Sequence, residues 1–300
     1  MTDLHSLADL STFALVVQHK GFRQAARASG QSASALSESV RRLESQLGMR
    51  LLLRTTRSVT PTEAGALLLS RLRPALSEVA SALDVLNELR DNPRGTLRLN
   101  VPVSAARLFL LPIVDQFLRA YPDIVLDIVV DNNFVDVVAS GCDAGIRYGE
   151  RLEQDMIAMP IGPRKQRFAV AAAPDYLARR GVPEHPRDLL DHACLRGKFL
   201  SGAMPAWEFE RDGQTLSVEP SGPLIITFSE AELAVHAAVA GHGVIFLFEE
   251  WLQPYMTSGQ LQPILQDWWL TFPGPFLYYP GRRHLPAPLR AFVDFVSKRA

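Results

Sequence analysis

Leu7, Leu10, Phe13, Ala14 and Val17 recur at the spacing of one helix face, and Gly21 ends the run. A short second helix is expected from Phe22 to Ser29, with Ala25 and Ala26 as small contact residues and Gly30 closing it. A third begins near Ser32, whose hydroxyl can accept a backbone N–H and cap it. Leu36, Val40, Leu43 and Leu47 then fall on one narrow apolar stripe, with Ser34, Ser37, Glu38, Arg41 and Ser45 on the opposite face. From Thr62 to Leu89 the apolar positions Leu69, Leu72, Leu76, Val79, Leu83 and Leu86 are spaced 3, 4, 3, 4, 3, a heptad seam. Such a seam implies a partner helix, and so a homodimer; the plainer alternative is packing on the chain's own body. Pro74 inside it is expected to kink the helix, and Asp91-Asn92-Pro93-Arg94-Gly95 to stop it.

Past Gly95 the pattern alternates between strand and helix. Strands are expected at Thr96–Val101, Ile124–Val130, Asp143–Tyr148, Phe168–Ala173, Leu224–Phe228, Val244–Phe248 and Phe276–Tyr279. Helices are expected at Ala105–Ala120, Glu230–Ala240 and Pro286–Ser297. The alternation predicts an α/β fold with mostly parallel sheets behind an all-α head.

Composition narrows the class. Apolar residues are 47% of the chain and charged residues 21%, a globular balance, and 300 residues suit two or three domains. No apolar run approaches the roughly 18 residues of a membrane span. The start, Met1-Thr2-Asp3-Leu4-His5, lacks a basic-then-apolar leader, so a cytoplasmic protein is expected. The near-neutral total conceals an asymmetry. Residues 1–60 hold Lys20, Arg23, Arg27, Arg41, Arg42, Arg50, Arg54 and Arg57 against Asp3, Asp9, Glu38 and Glu44, while the remainder is net acidic. A basic head on an acidic body fits a nucleic-acid partner for the head. Cys142 and Cys194 share no metal or redox spacing and read as two small buried residues. No metal and no cofactor are expected.

Two helices joined by a tight turn, the second with a short-chained polar face, describe a helix-turn-helix. The first residues of its second helix would meet base edges in the major groove of double-stranded DNA. The alternative is an ordinary solvated helix face. Gln31, Ser32, Ala33, Ser34, Ser37, Glu38, Arg41 and Arg42 are the candidate contacts there. Arg54, Thr55, Thr56 and Arg57 lie in a turn-rich segment suited to a wing on the phosphate backbone.

From Phe13 to Leu67 these elements fall into a fixed pattern: Phe22 with Ala25-Ala26, Ser34-Ala35-Leu36-Ser37, Arg41-Arg42-Leu43-Glu44, Leu47-Gly48, Arg54-Thr55-Thr56-Arg57 and Thr62-Glu63-Ala64-Gly65. The pattern resembles the DNA-binding domain of LysR-type transcriptional regulators. Gln31, Ala33, Glu38 and Leu53 depart from the family's usual residues, which bears on the operator read rather than on the fold. Glu38 would repel phosphate but can accept from cytosine N4. Leu97 to Pro102, Asp143 to Arg147, Trp207-Glu208-Phe209, Gly241-His242-Gly243 and Tyr278 to His284 are similar to a subgroup's effector-binding domain.

The resemblance implies a winged helix-turn-helix at 1–61, a linker helix at 62–91 and a two-lobed, periplasmic-binding-protein-like effector domain at 95–300. Lobe one would be 95–163 and 267–300, and lobe two 164–266. Ligands in open α/β sheets bind beyond the carboxyl ends of strands. That places Val103, Ser104, Arg147, Tyr148, Phe199, Ser201, Phe228 and Ser229 around an effector, a small anion or aromatic. The alternative makes the phenylalanines core and Arg147 a structural ion pair. The resemblance further implies a homodimer or homotetramer whose ligand-set geometry acts on RNA polymerase. An enzyme is disfavoured, because no G-x-S-x-G, H-E-x-x-H, P-loop or G-x-G-x-x-G occurs. Gly241-His242-Gly243 reads as a turn. A transport solute-binder is disfavoured by the DNA-reading head.

Overall fold

The computed structural model describes residues 7–54, 59–87, 93–132, 141–149, 156–281 and 285–299. The chain divides into two units, 1–91 and 92–300.

In the first unit, helix α1 spans Leu7–Gln18, α2 Phe22–Ser29 and α3 Ala33–Leu47. Strands β1 (Leu52–Arg54) and β2 (Val59–Pro61) pair antiparallel, and α4 runs over Glu63–Asn87. Phe13, Val16, Ala25, Leu36, Val40 and Leu43 are fully buried in a common core. Each large side chain so buried contributes about 1.5–3 kcal/mol. Ser32 caps α3 by accepting from Ala35 N at 3.1 Å, and Gly48 ends it at φ 67°, a left-handed cap disfavoured for other residues. The turn after α1 differs from expectation: Lys20 takes the left-handed conformation, and Gly21, at φ 170°, is extended.

Buried Asp9 breaks the apolar pattern of α1. It accepts from Ser39 Oγ at 2.6 Å and Arg42 Nε at 2.8 Å, pinning α1 to α3. Gly65 lets α4 dock, since a Cβ there would lie 2.1 Å from Leu51 O.

The heptad seam needs correction in its first turns. Leu69 and Leu72 are buried in the head's own core and Leu76 packs against it, whereas Val79 is exposed. The side chains of Pro74, Leu83 and Leu86 lie outside the described residues, as does the hinge at 91–92. The helix itself continues through position 74, where a kink was expected.

The second unit opens with β3 (Gly95–Val101), then a helix in three parts: α5 (Val103–Ala105), a π-helical turn at Ala106–Leu110, and α6 (Leu111–Ala120). The helix starts two residues before the expected position. The widened turn ends just ahead of Pro112, which has no N–H to donate. Strands β4 (Ile124–Val130), β5 (Ala144–Arg147) and β6 (Met156–Pro160) follow, then β7 (Lys165–Ala172), α7 (Pro174–Arg180) and β8 (Cys194–Lys198). Next come β9 (Trp207–Arg211), β10 (Gln214–Val218), β11 (Ile225–Thr227), α8 (Ala231–Val239), β12 (Val244–Phe248), α9 (Glu249–Thr257), β13 (Gln262–Ile264) and β14 (Thr271–Pro273). The unit closes with β15 (Phe276–Pro280) and α10 (Ala287–Ser297).

Two sheets define two lobes. The first has the order β4-β3-β5-β15-β6 and the second β11-β8-β12-β7-β13, with β14 also on β7. Mostly parallel sheets were expected, and each sheet joins parallel pairs to antiparallel ones. In the first, β15 is antiparallel to β5 and β6; in the second, β7 is antiparallel to β12, β13 and β14. The chain leaves the first lobe after β6 and returns to it as β15, which runs opposite to β5, and in the second lobe the entering strand β7 runs opposite to β12.

Thr271 pairs with Arg167, so the second crossing falls near Gly274 rather than at 267. There the two crossing segments touch: Gly274 N donates to Arg164 O at 2.9 Å, and a Cβ on Gly274 would collide with Pro163 O. The β9–β10 hairpin was not anticipated. Its loop is Asp212-Gly213, both at positive φ, the two-residue turn that matches strand twist.

Candidate functional site

The polar face of α3 lies opposite its buried stripe. Gln31, Ser32, Ser34, Glu38 and Arg41 are exposed, and Ala33 and Ser37 are half-buried, while Leu36, Val40 and Leu43 are inaccessible behind them. Ser32 and Ser34 share a hydroxyl contact of 3.0 Å. Glu38 and Arg41 approach within 3.9 Å, both about two-thirds exposed, an ion pair too solvated to hold either in place. The pair therefore leaves both side chains able to take other partners.

Arg42 departs from the expected group. Its guanidinium is engaged on Asp9, so it serves the α1–α3 contact although part of its side chain reaches solvent. The hydrogen bond from Arg42, joined by that from Ser39, holds the Asp9 carboxyl below its ordinary value against the opposing pull of burial.

Glu44, unassigned from the sequence, positions the wing: its carboxylate accepts from Leu51 N at 2.9 Å and Leu52 N at 3.1 Å. Thr62 donates to Arg50 O and accepts from Gly65 N, tying the far side of the wing to the start of α4. Thr55, Thr56, Arg57 and the side chain of Arg54 lie outside the described residues.

In the second unit a cavity of about 630 Å³ is bounded by both lobes. Val103, Ser104, Arg147, Tyr148, Phe199 and Phe228 line it. Ser201 and Ser229 do not. Ser201 lies in an exposed turn, with its hydroxyl toward Ala203 N, and Ser229 is exposed and contacts Thr227. Each stands one or two residues past a cavity-lining phenylalanine, where the chain has already turned outward.

Arg147 is buried. It donates to Asn100 Oδ1 and, at 2.7 Å, to Ile146 O, so it also braces the ends of β3 and β5. Tyr148 packs on Phe248 with ring centroids 5.3 Å apart. Burial pushes its phenol up to about 12; the nearby Ser104 hydroxyl opposes this and the Glu250 charge adds to it. The Tyr148 hydroxyl is enclosed and, among the described residues, makes no hydrogen bond of good geometry, so the Ser104 contact is an approach rather than a bond.

The sequence reading missed the aromatic wall. Trp207 stacks on Phe246 at 5.1 Å and Phe246 on Phe168 at 4.8 Å, and Phe248, Phe272 and Trp251 continue the lining. The alternation of Phe246 and Phe248 along β12 was the available signal. Gly197 has no side chain because the Phe228 ring occupies that space.

Cys142 and Cys194 are buried and form no disulfide, and burial pushes the Cys194 thiol up to about 12. Among the described residues no group of three His, Cys, Asp or Glu side chains is placed to hold a metal, and no helix is long and apolar enough to cross a membrane.

Comparison with known proteins agrees with this geometry. Residues 7–66 match the model for the bacterial regulatory helix-turn-helix protein, lysR family, and residues 90–300 the model for the LysR substrate binding domain. The chain is 41% identical over 292 residues to the uncharacterized HTH-type transcriptional regulator YcaN of Escherichia coli K12, covering 97% of this chain and 95% of that one. It is 38% identical over 289 residues to the HTH-type transcriptional regulator PgrR of the same organism, covering 96% of each. Among solved structures, full-length AphB, the Vibrio cholerae virulence activator, superposes with a TM-score of 0.66 at 25% identity, over 98% of this chain and 99% of that one.

Proposed function

Because the chain belongs to the LysR family of transcriptional regulators, we propose that it reads its operator with the outward face of α3, through Ser34, Ser37, Glu38 and Arg41. It is a DNA-binding regulator with a helix-turn-helix head and an effector-binding domain. Gln31, Ser32 and Ala33 stand at the start of α3 and approach the backbone of the duplex. Arg54, Thr55, Thr56 and Arg57 hold phosphates from the wing. Arg42 acts indirectly, by fixing α3 on α1. Short serines permit close approach to bases, and the acidic Glu38 selects against guanine and for an exposed cytosine amine.

The remaining assignments extend the same reading. The head is 1–61, the connecting helix 62–91 and the effector domain 95–300, with the return to lobe one moved to Gly274. Two copies pair along the distal part of α4, beyond the leucines used by the head, and bind a pseudo-palindromic site in the bacterial cytoplasm. A pair of dimers and contact with RNA polymerase follow from the same arrangement. The effector enters the cavity between the lobes and shifts the population of their arrangements. A cleft walled by Phe168, Trp207, Phe246 and Phe248 favours an aromatic effector over a small aliphatic anion.

The single observation that carries the reading is the contrast across α3, with inaccessible leucines and valine on one side and solvated hydrogen-bonding groups on the other. Selection of bound fragments from sheared genomic DNA, followed by footprinting, tests it. Enrichment of a site with two related half-sites supports the reading. Recovery of fragments no different from the input overturns it.

A further inference from the structure

Trp251, one of the cavity-lining residues, is held from both lobes. Its indole N–H donates to Glu232 Oε2 at 3.0 Å, from α9 to α8 within lobe two. Arg107, from the π-helical turn of lobe one, reaches the same oxygen at 2.9 Å and lays its guanidinium 4.7 Å from the centre of the indole. Three groups thus close a triangle across the lobe boundary, with one face of the indole under the cation. Tyr255 fixes the remaining oxygen by donating to Glu232 Oε1 at 2.6 Å, and His236 stands 3.8 Å from it.

Burial pulls the Glu232 carboxyl upward. The hydrogen bonds from Tyr255 and Trp251, with the charges of Arg107 and His236, outweigh that and hold it below its ordinary value. The carboxylate therefore stays charged as the receptor for Arg107. Val103 and Leu108, either side of Arg107 on the same helix, pack against the core of lobe two, so the turn carrying Arg107 is held at the boundary. A π-helical turn inside an α-helix is a common mark of a functional position.

We propose that Arg107, Trp251 and Glu232 form the clasp that couples the two lobes, and that occupancy of the cleft acts on the regulator by disturbing the indole at its centre. The inference rests on the reading of the cleft as the effector site. Arg107 and Glu232 are positioning residues here; neither needs to touch the effector. An exposed ion pair and a cation over an indole each contribute a factor of a few, so loss of Arg107 shifts the balance between lobe arrangements roughly tenfold.

The experiment is a distance measurement by pulsed electron resonance on the full-length protein, diluted with unlabelled chain, with spin labels on cysteines at the exposed positions Glu184 and Lys298. Arg107→Met removes the charge and keeps the bulk. Ala206→Phe, at a half-buried lining position, imitates occupancy without a ligand. Both variants are expected to broaden or move the distance distribution, and Arg107→Lys to restore most of the original one. Combining Arg107→Met with Glu232→Gln is expected to add little to either alone. An unchanged distribution in Arg107→Met overturns the clasp, even if Ala206→Phe moves it, in which case the cleft reading stands alone. A response to Arg107→Met with none to Ala206→Phe leaves the clasp and removes the effector's route to it. Circular dichroism of each variant separates these outcomes from misfolding.

Discussion

Replacing Leu36 by alanine, and separately Ser37 by alanine, tests the orientation of the reading helix through two adjacent residues. Leu36 is inaccessible, in contact with the head's core, so its truncation removes the transfer energy of the lost atoms and leaves a cavity. Substitutions of this kind cost 2–5 kcal/mol, and about 3 is a reasonable centre. At about 1.4 kcal/mol per factor of ten, amide protection in α3 should fall by roughly two orders of magnitude. Ser37 is half-buried on the other face and supports no core packing, so its truncation should leave protection within about twofold of the parent while weakening binding to the selected operator. Hydrogen exchange read by mass spectrometry on peptides covering 33–47 provides the first quantity, and a binding titration the second. If Leu36→Ala leaves α3 as protected as before, or if Ser37→Ala is the variant that exposes it, the assigned faces are wrong.

Three further outcomes follow. Glu38→Ala should retain affinity for duplex and change the bases preferred near the α3 contact; an unaltered preference in a binding-site selection would discard its role in specificity. Asp9 is less readily protonated in the folded head than in the unfolded chain, so its contribution is complete above its ordinary value of 3.8 and disappears as pH falls through the lower folded value. Asp9→Asn should therefore be less stable at neutral pH and show a flatter loss of stability between about pH 5 and pH 2 in urea titrations; parallel curves would contradict this. Gly65→Ala places a methyl against Leu51 O and should destabilise the head by about 1–3 kcal/mol, seen as a lower urea midpoint for the first unit, whereas an unchanged midpoint would show that α4 can shift without cost.

How much of this was readable in the sequence depended on whether the forces involved were local. Helices α1 to α3 follow apolar spacing and small caps, and Ser32 caps as its position suggests. Asp9 was not legible, because a carboxylate within an apolar run shows its partner only when α3 lies beside it. For the same reason Arg42, indistinguishable from Arg41 by type, has a different task. The first leucines of the α4 seam carry the same heptad signal whether they face a second chain or the head, and burial decides for the head at Leu69 and Leu72. In the effector domain Val103, Ser104, Arg147 and Tyr148 were placed by the rule that strand ends meet ligands. Phe168, Trp207 and Phe272 come together from distant strands, and no spacing along the chain brings them to one wall. The hairpin at Asp212-Gly213 had a strong local signal, whereas Arg107 had none until the lobes were seen to meet over it.

The most direct measurement is the affinity of the full-length protein for its selected duplex as a function of salt, compared with Arg41→Ala and Arg42→Ala. Affinity should fall linearly on logarithmic axes with a slope of several units, reduced by about one in Arg41→Ala. Arg42→Ala should instead lose head stability and leave the slope of the folded fraction unchanged. Absence of duplex binding at low ionic strength, or a slope indifferent to Arg41 and responsive to Arg42, would contradict the placement of α3 on DNA.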